Sequence, residues 1–154
     1  MSDIFSQVYR IYLEDTDAGG IVYHANHLKL FERCRRDWLR QLGMSSYFYQ
    51  HQSSEDGIVT TSNTQFVVSQ ADIRYFQPIL LDTLVKVTVS NISLKSASLR
   101  LQQRIYLAEN TLDPLCQAEI TLACVTTTYE HGQTKLRPTR LPAPFVALLN
   151  SLSI

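Results

Sequence analysis

The hydrophobic period of this chain changes once, and that change restricts the folds open to it. From Leu28 to Leu42, apolar residues recur at three- and four-residue steps: Leu28, Phe31, Cys34, Trp38, Leu39 and Leu42. This is the stripe of an amphipathic helix, predicted over about His27 to Leu42. Lys29, Arg33, Arg36 and Arg40 fall largely on its other side, and with Arg35 they give the helix a cationic face. Asn26 is placed to cap its start and Gly43 to end it. Beyond Phe66 the period becomes two, the mark of half-buried strands. Phe66 to Phe76 puts Val67, Ser69, Ala71, Ile73 and Tyr75 on one side. Leu84 to Ile92 puts Val85, Val87 and Val89 together, and Ser98 to Leu107 and Glu119 to Tyr129 continue the theme.

The connectors set the pairing. Lys95-Ser96-Ala97 and the run Asn110 to Pro114 are short, so these strands should pair antiparallel. A further strand, Gln7 to Leu13, precedes the helix, and Pro142 opens a last helix through Phe145, Leu148 and Leu149. Pro78 closes the Phe66 strand or leads into a turn. Met44 to Ser62 reads as a loop with one short helix, aromatic at Tyr47-Phe48-Tyr49 and polar around His51. His131 precedes Gly132 in an expected turn. One helix laid on an antiparallel sheet is an α+β design.

Composition narrows the function classes. The 14 basic and 14 acidic side chains of the 154 residues cancel. A neutral chain has no overall attraction to nucleic acid or to an anionic membrane. The length suits one domain. Cys34, Cys116 and Cys124 are odd in number and have no CxxC spacing, which points to free thiols in a reducing compartment. Cys34, flanked by Arg33 and Arg35, is the one thiol to weigh as a nucleophile, but its place on the apolar stripe predicts a core position. Met1-Ser2-Asp3-Ile4-Phe5 has neither the basic nor the apolar part of a signal peptide, and no run approaches the length of a spanning helix. A cytoplasmic, soluble protein is expected.

The chemically informative stretch is Asp15-Thr16-Asp17-Ala18-Gly19-Gly20-Ile21-Val22-Tyr23-His24-Ala25-Asn26-His27. Two carboxylates, two glycines and two histidines lie between a strand end and a helix start. Glycine permits turn conformations and close approach of a ligand to the backbone. The start of a helix leaves N–H groups unpaired and carries partial positive charge. An oxygen that gains negative charge in a reaction is stabilised there. A nearby carboxylate can attack an acyl carbon or activate a water, and an imidazole can orient the reacting group. Such a set suits acyl transfer. Asp15, by contrast, has the ordinary role of a turn or cap acceptor, and His27 that of a helix-start residue without chemistry. Asp15, Asp17, His24 and His27 are also metal-ligand types, but no second cluster and no HExxH pattern accompany them, so no metal is expected. There is no GxSxG elbow for a serine nucleophile. Glu32 suits an ion pair or an exposed helix face.

The run Glu14-Asp15-Thr16-Asp17-Ala18-Gly19-Gly20-Ile21-Val22-Tyr23-His24-Ala25-Asn26, with Phe31-Glu32-Arg33-Cys34-Arg35, resembles the hot-dog fold acyl-CoA thioesterases of the 4-hydroxybenzoyl-CoA thioesterase type. The resemblance is strongest to the branch associated with the Tol–Pal cell-envelope system. It continues more loosely through Ile73-Arg74-Tyr75-Phe76-Gln77-Pro78 and Gln103-Arg104-Ile105-Tyr106. It implies a single hot-dog domain over residues 1–154, an antiparallel sheet wrapped around one long central helix. It implies hydrolysis of an acyl thioester to a free acid and a thiol, with no cofactor. Asp17 takes the place of the family's catalytic acid, as nucleophile or general base. The position of His24 polarises the thioester carbonyl through its backbone N–H, with help from the imidazole. Family members tend to carry a tyrosine four residues before the acid, where this chain has Leu13 beside Tyr12. A one-residue shift along a strand reverses the side chain, so Tyr12 is not expected to replace it.

The substrate implied is an acyl-CoA or an acyl carrier protein thioester. Ser69, on a strand whose family counterpart lines the site, is a candidate contact for the acyl group or the attacking water. Lys95, and less so Arg137 and Arg140, are candidate cations for coenzyme A phosphates. The family builds its site between subunits, so a homodimer or homotetramer is implied, along with partners in phospholipid synthesis or acyl carrier protein. The alternative is a hot-dog domain that binds such thioesters with little or no turnover. A dehydratase-type hot dog ranks last, because its histidine and acid would be placed differently.

Overall fold

The computed structural model describes residues 2–44, 49–55 and 58–152. The strands are β1 (Phe5–Arg10), β2 (Tyr49–Glu55), β3 (Ile58–Tyr75), β4 (Leu84–Leu94), β5 (Ser98–Leu107), β6 (Cys116–Glu130) and β7 (Gln133–Pro138). The helices are α1 (Asn26–Gln41) and α2 (Ala143–Leu152). All strand pairs are antiparallel, in the order β1-β4-β5-β6-β3-β2. The long β6 changes neighbour along its length: Cys116 to Ala123 pairs with β5, and Val125 to Glu130 with β7.

The helical stripe does what its spacing requires. His27, Leu30, Phe31, Cys34, Arg35 and Trp38 are buried on one face of α1, positions that repeat at the helical period. They join Val85, Val87 and Val89 of β4, Leu101 and Ile105 of β5, and Ala118 and Ile120 of β6 in one core. Two polar links fix the register of helix on sheet. Cys34 Sγ–H donates to the Val87 carbonyl at 3.4 Å. Fully buried Gln103 donates to the Phe31 carbonyl at 3.1 Å and accepts from Arg35 Nη1 at 2.9 Å. Exposed Leu28 does not belong to the stripe, and Arg35 leaves the cationic face for the core.

Helix α1 ends as expected. Gly43 has φ +90°, its N–H donates to the Arg40 carbonyl at 3.0 Å, and the Met44 N–H donates to Leu39 at 2.9 Å. This is the paired closure that glycine beyond a helix permits. Its start differs from the expectation. Ala25 holds the cap position, and Asn26 is the first helical residue, its amide donating back to the Asp15 carbonyl at 2.9 Å.

Three further expectations are corrected. Strand β1 stops at Arg10, and Leu13–Asp15 form a short 3₁₀ turn rather than strand. Within the stretch Met44 to Ser62, expected as a loop with one short helix, residues 49–55 and 58–62 are paired antiparallel strand; residues 45–48 and 56–57, Tyr47 and Phe48 among them, and the side chains of Tyr49 and His51 lie outside the described residues. In β3, Ser69 is an extra residue between Val68, opposite Leu122, and Gln70, opposite Thr121. A bulge of one residue shifts the alternation. Val67, opposite Ala123, therefore faces away from the side shared by Ala71 and Ile73, which oppose core residues Ile120 and Ala118. Strand β7 was not foreseen. It follows a two-residue turn in which His131 and Gly132 both take positive φ, 52° and 75°, the hairpin turn that suits twisted strands. Helix α2 begins one residue after Pro142 and buries Phe145, whose ring lies 5.2 Å from that of Phe66.

Candidate active site

The loop between β1 and α1 is held on three sides. Its own ends close through the Thr16–Val22 bridge, with the Asp17 N–H donating to the Ile21 carbonyl at 2.9 Å. The segment before β4 fixes it from below: Val22 N–H donates to Ile79 at 2.8 Å, and Leu81 N–H to Gly20 at 3.1 Å. Buried Asp15 fastens the 3₁₀ turn, its carboxylate accepting the Tyr12 N–H at 2.9 Å. Its carbonyl receives the Tyr23 N–H at 3.0 Å as well as the Asn26 amide. Asp15 is thus the structural acceptor that its place in a turn suggests.

Asp17 differs from Asp15 in its exposure. It is exposed, and Oδ1 accepts the Gly19 N–H at 2.8 Å. Among the described residues, Oδ2 has no hydrogen-bond donor. A carboxylate oriented through one oxygen and open at the other is suited to attack a carbon or to take a proton. Gly19 belongs to this arrangement, because a Cβ there would lie 3.2 Å from Asp17 Oδ1. Gly20, at φ +77°, makes the turn that brings the chain back.

At the far end of the loop, the backbone of His24 is clamped by its carbonyl. Tyr75, the last residue of β3, donates its phenol O–H to that oxygen at 2.6 Å. His27 Nδ1 lies 3.2 Å from the same oxygen, and its ring meets Tyr75 edge to face at 4.8 Å. Burial lowers the His27 pKa, which favours the neutral ring. Burial also raises that of the Tyr75 phenol, so it stays a donor. With the carbonyl fixed, the peptide plane between His24 and Ala25 is fixed too. Among the described residues, neither the His24 nor the Ala25 N–H has an acceptor. The His24 side chain is exposed and stacks edge-on against Tyr23 at 4.4 Å.

Asp17 and His24 are therefore the two ends of one braced loop. Ser69 and Lys95 are not part of it. Ser69 sits in the β3 bulge, where its hydroxyl donates to the Thr121 carbonyl at 3.3 Å. It is six residues, or roughly 20 Å of strand, from Tyr75. Exposed Lys95 lies in the β4–β5 turn, at the opposite end of β4 from Leu84 and hence from the Asp17 loop. Leu13 is exposed on the 3₁₀ turn, and Tyr12 with it, so the strand alternation expected there does not operate. Cys34 is fully buried and its thiol is pushed up to about 12, far from thiolate chemistry at neutral pH. Among the described residues no group of three or more metal-ligand side chains occurs, and Glu32, exposed, makes no ion pair. No described helix is long and apolar enough to cross a membrane. Nothing in the sequence singles out Tyr75, which meets both the His24 carbonyl and the His27 ring.

This antiparallel sheet with α1 against one face, entered through a carboxylate-bearing loop, has the α+β architecture of the hot-dog thioesterase folds. The chain belongs to the thioesterase-like superfamily, whose family model matches residues 11–149. It is 35% identical over 144 residues to the Acyl-CoA thioester hydrolase YbgC of Escherichia coli, covering 94% of each chain. It is 34% identical over 148 residues to the Acyl-CoA thioesterase YbgC of Haemophilus influenzae, covering 96% of each. Among solved structures, a probable thioesterase from Bartonella henselae superposes with a TM-score of 0.66 at 30% identity, over 90% of this chain and 97% of that one.

Proposed function

We propose that this chain hydrolyses acyl-CoA thioesters, with Asp17 as nucleophile or general base and the backbone at His24 as the donor to the thioester oxygen. Thioester hydrolysis follows from the family and the relatives named above; the assignment of residues is ours. The observation that carries it is the pairing, on one braced loop, of a half-engaged carboxylate with amides that have no acceptor. The thioester carbonyl would rest against the His24 and Ala25 N–H groups, which stabilise the charge that grows on oxygen. As general base, Asp17 takes a proton from water while the water oxygen bonds to the acyl carbon; the C–S bond then breaks and the proton passes to the departing thiolate. As nucleophile, its free oxygen bonds to that carbon, the C–S bond breaks, and water then cleaves the mixed anhydride. Either route yields one acid and one thiol per water consumed. The reading includes one unit over residues 1–154 in a reducing, cytoplasmic setting, consistent with three buried, free cysteines.

A second copy fits the same reading. Strand β2 pairs with β3 only as far as Thr64, so from Gln65 to Tyr75 the β3 edge facing away from β6 has no partner among the described residues. Exposed Val68, Tyr75, Phe76 and Leu28 add apolar surface. A dimer formed there would bring the bulge at Ser69 into a shared interface; light scattering of the purified chain measures the mass.

Asp17→Asn tests the mechanism, since it keeps shape and removes charge. Turnover of an acyl-CoA panel, read as free thiol released, should fall by roughly 10²-fold or more. Unchanged turnover would overturn the role of Asp17. Binding of acyl-CoA by the wild type without any thiol release would favour the non-catalytic alternative, which the absence of a hydroxyl at Leu13 also suits.

A further inference from the structure

A second concave site lies along α1, away from the Asp17 loop. Its volume is about 280 Å³, between the C-terminal half of the helix and β3. Leu39, Met44, Phe66, Val68 and Leu122 make most of its wall apolar. Its charged members are Arg35, Arg36 and Glu32. Arg35 lies nine residues beyond Asn26, roughly 13 Å along the helix axis from its start.

Arg35 gives the cavity its chemistry. Its side chain is buried, at 8% exposure. Of five N–H donors in the guanidinium, one goes to Gln103 Oε1 at 2.9 Å. That partner is a neutral amide. Glu32, one turn earlier, is exposed, and among the described residues no carboxylate lies within ion-pair distance of Arg35. Desolvation lowers the Arg35 pKa and Glu32 opposes it only at a distance. A buried cation with no carboxylate in contact is costly, and an anion held by the guanidinium fork offsets that cost. The surrounding wall excludes a small hydrated anion as the best match and favours one with an apolar body.

We infer that this cavity binds an aliphatic carboxylate, its head on the Arg35 guanidinium and its chain against Leu39, Phe66, Val68 and Leu122. The free acid released by thioester hydrolysis has this chemistry, but the site stands on its own residues and does not depend on turnover.

Octanoate is the probe, titrated calorimetrically into the full chain, with octanol as the uncharged equivalent. Wild type should bind octanoate at one per chain and octanol about tenfold more weakly. Arg35→Met should weaken octanoate by about tenfold or more and leave octanol nearly unchanged. Should Arg35→Met not fold, Val68→Trp, at an exposed position, fills the cavity with Arg35 intact and should displace octanoate. Asp17→Asn should bind octanoate as wild type does. Equal affinity for octanol, full octanoate affinity in the Arg35 and Val68 variants, no binding to wild type, or loss of binding in Asp17→Asn would each overturn the site. Failure of the Asp17 mechanism leaves octanoate binding in place, so the two readings fail separately.

Discussion

Tyr75→Phe should slow thioester hydrolysis about fivefold with little change in the fold. The phenol is one of two groups at the His24 carbonyl, 2.6 Å away, and His27 Nδ1 at 3.2 Å is the other. A neutral hydrogen bond contributes about 1 kcal/mol net. Tyr75 is 49% exposed, so in the folded variant water can reach the carbonyl that the phenol leaves. The cost to stability should therefore stay below about 1 kcal/mol. The effect on rate is different in kind. If the bond holds the amides of His24 and Ala25 where the thioester oxygen becomes negative, its loss appears in the barrier, and about 1 kcal/mol there is a factor of about five. Free-thiol release by wild type and Tyr75→Phe, fitted for kcat and KM, measures it, with urea unfolding of both as the control. Positioning predicts that kcat falls while KM barely moves. A kcat equal to that of wild type, in a variant whose unfolding midpoint has shifted, would show that Tyr75 only braces β3 against the loop and would refute the link from phenol to amide.

Three other outcomes follow from the same geometry. Gly19→Ala places a methyl 3.2 Å from Asp17 Oδ1, so kcat/KM should drop by about tenfold or less with circular dichroism unchanged; an unaltered rate would mean that the Asp17 carboxylate needs no fixed position. His27 has a folded pKa below its unfolded value, so the unfolded chain binds more protons, and stability present above the unfolded pKa is lost as pH falls toward the folded one, at no more than about 1.4 kcal/mol per pH unit. Urea midpoints between pH 7.5 and 5.5 should show that loss in wild type and a smaller one in His27→Gln; parallel slopes would remove His27 from the acid response. Native Cys34, Cys116 and Cys124, with thiols pushed up to about 12, 12 and 11 by burial, should react with a disulfide reagent only after urea is added, and fast labelling of the folded chain would contradict their burial.

Periodicity carried most of the architecture, because core positions on a helix or strand repeat at a spacing that local sequence records. Phe31, Cys34 and Trp38 sit where three- and four-residue steps place them, and Val85, Val87 and Val89 where alternation does. The failures share a cause. Hairpin β2 is polar on both faces as a sequence, Tyr-Gln-His-Gln-Ser-Ser-Glu, so no alternation announces it. Strand β7 is exposed along its whole length, so its residues record no buried face. The bulge at Ser69 preserves the two-residue pattern in writing and reverses it in space. Arg35, grouped by sequence with the cationic face, is buried, a place arginine seldom takes. What buries it is Gln103, which local spacing along α1 cannot contain.

The site divides along the same line. Asp17, His24 and the glycines lie within one loop, so their proximity is legible as a run of residue types. Tyr75 is 51 residues from His24, and nothing about an aromatic near the end of a strand marks it as a donor to that carbonyl. His27 looked inert because a ring at the start of a helix usually is. Here burial keeps it neutral and Tyr75 covers it edge-on. A carboxylate loop alone leaves open where the oxygen of a substrate would rest. A tyrosine from β3 holds the His24 carbonyl, and with it the peptide plane that carries the Ala25 N–H, beside the place proposed for that oxygen. The bottom of the Asp17 loop is meanwhile tied to Ile79 and Leu81, just beyond the same strand. Asp17 and the His24–Ala25 peptide are thus both referred to the end of β3 and the turn that follows it, and under the proposed mechanism a distortion there, more than one within the loop, should uncouple the two.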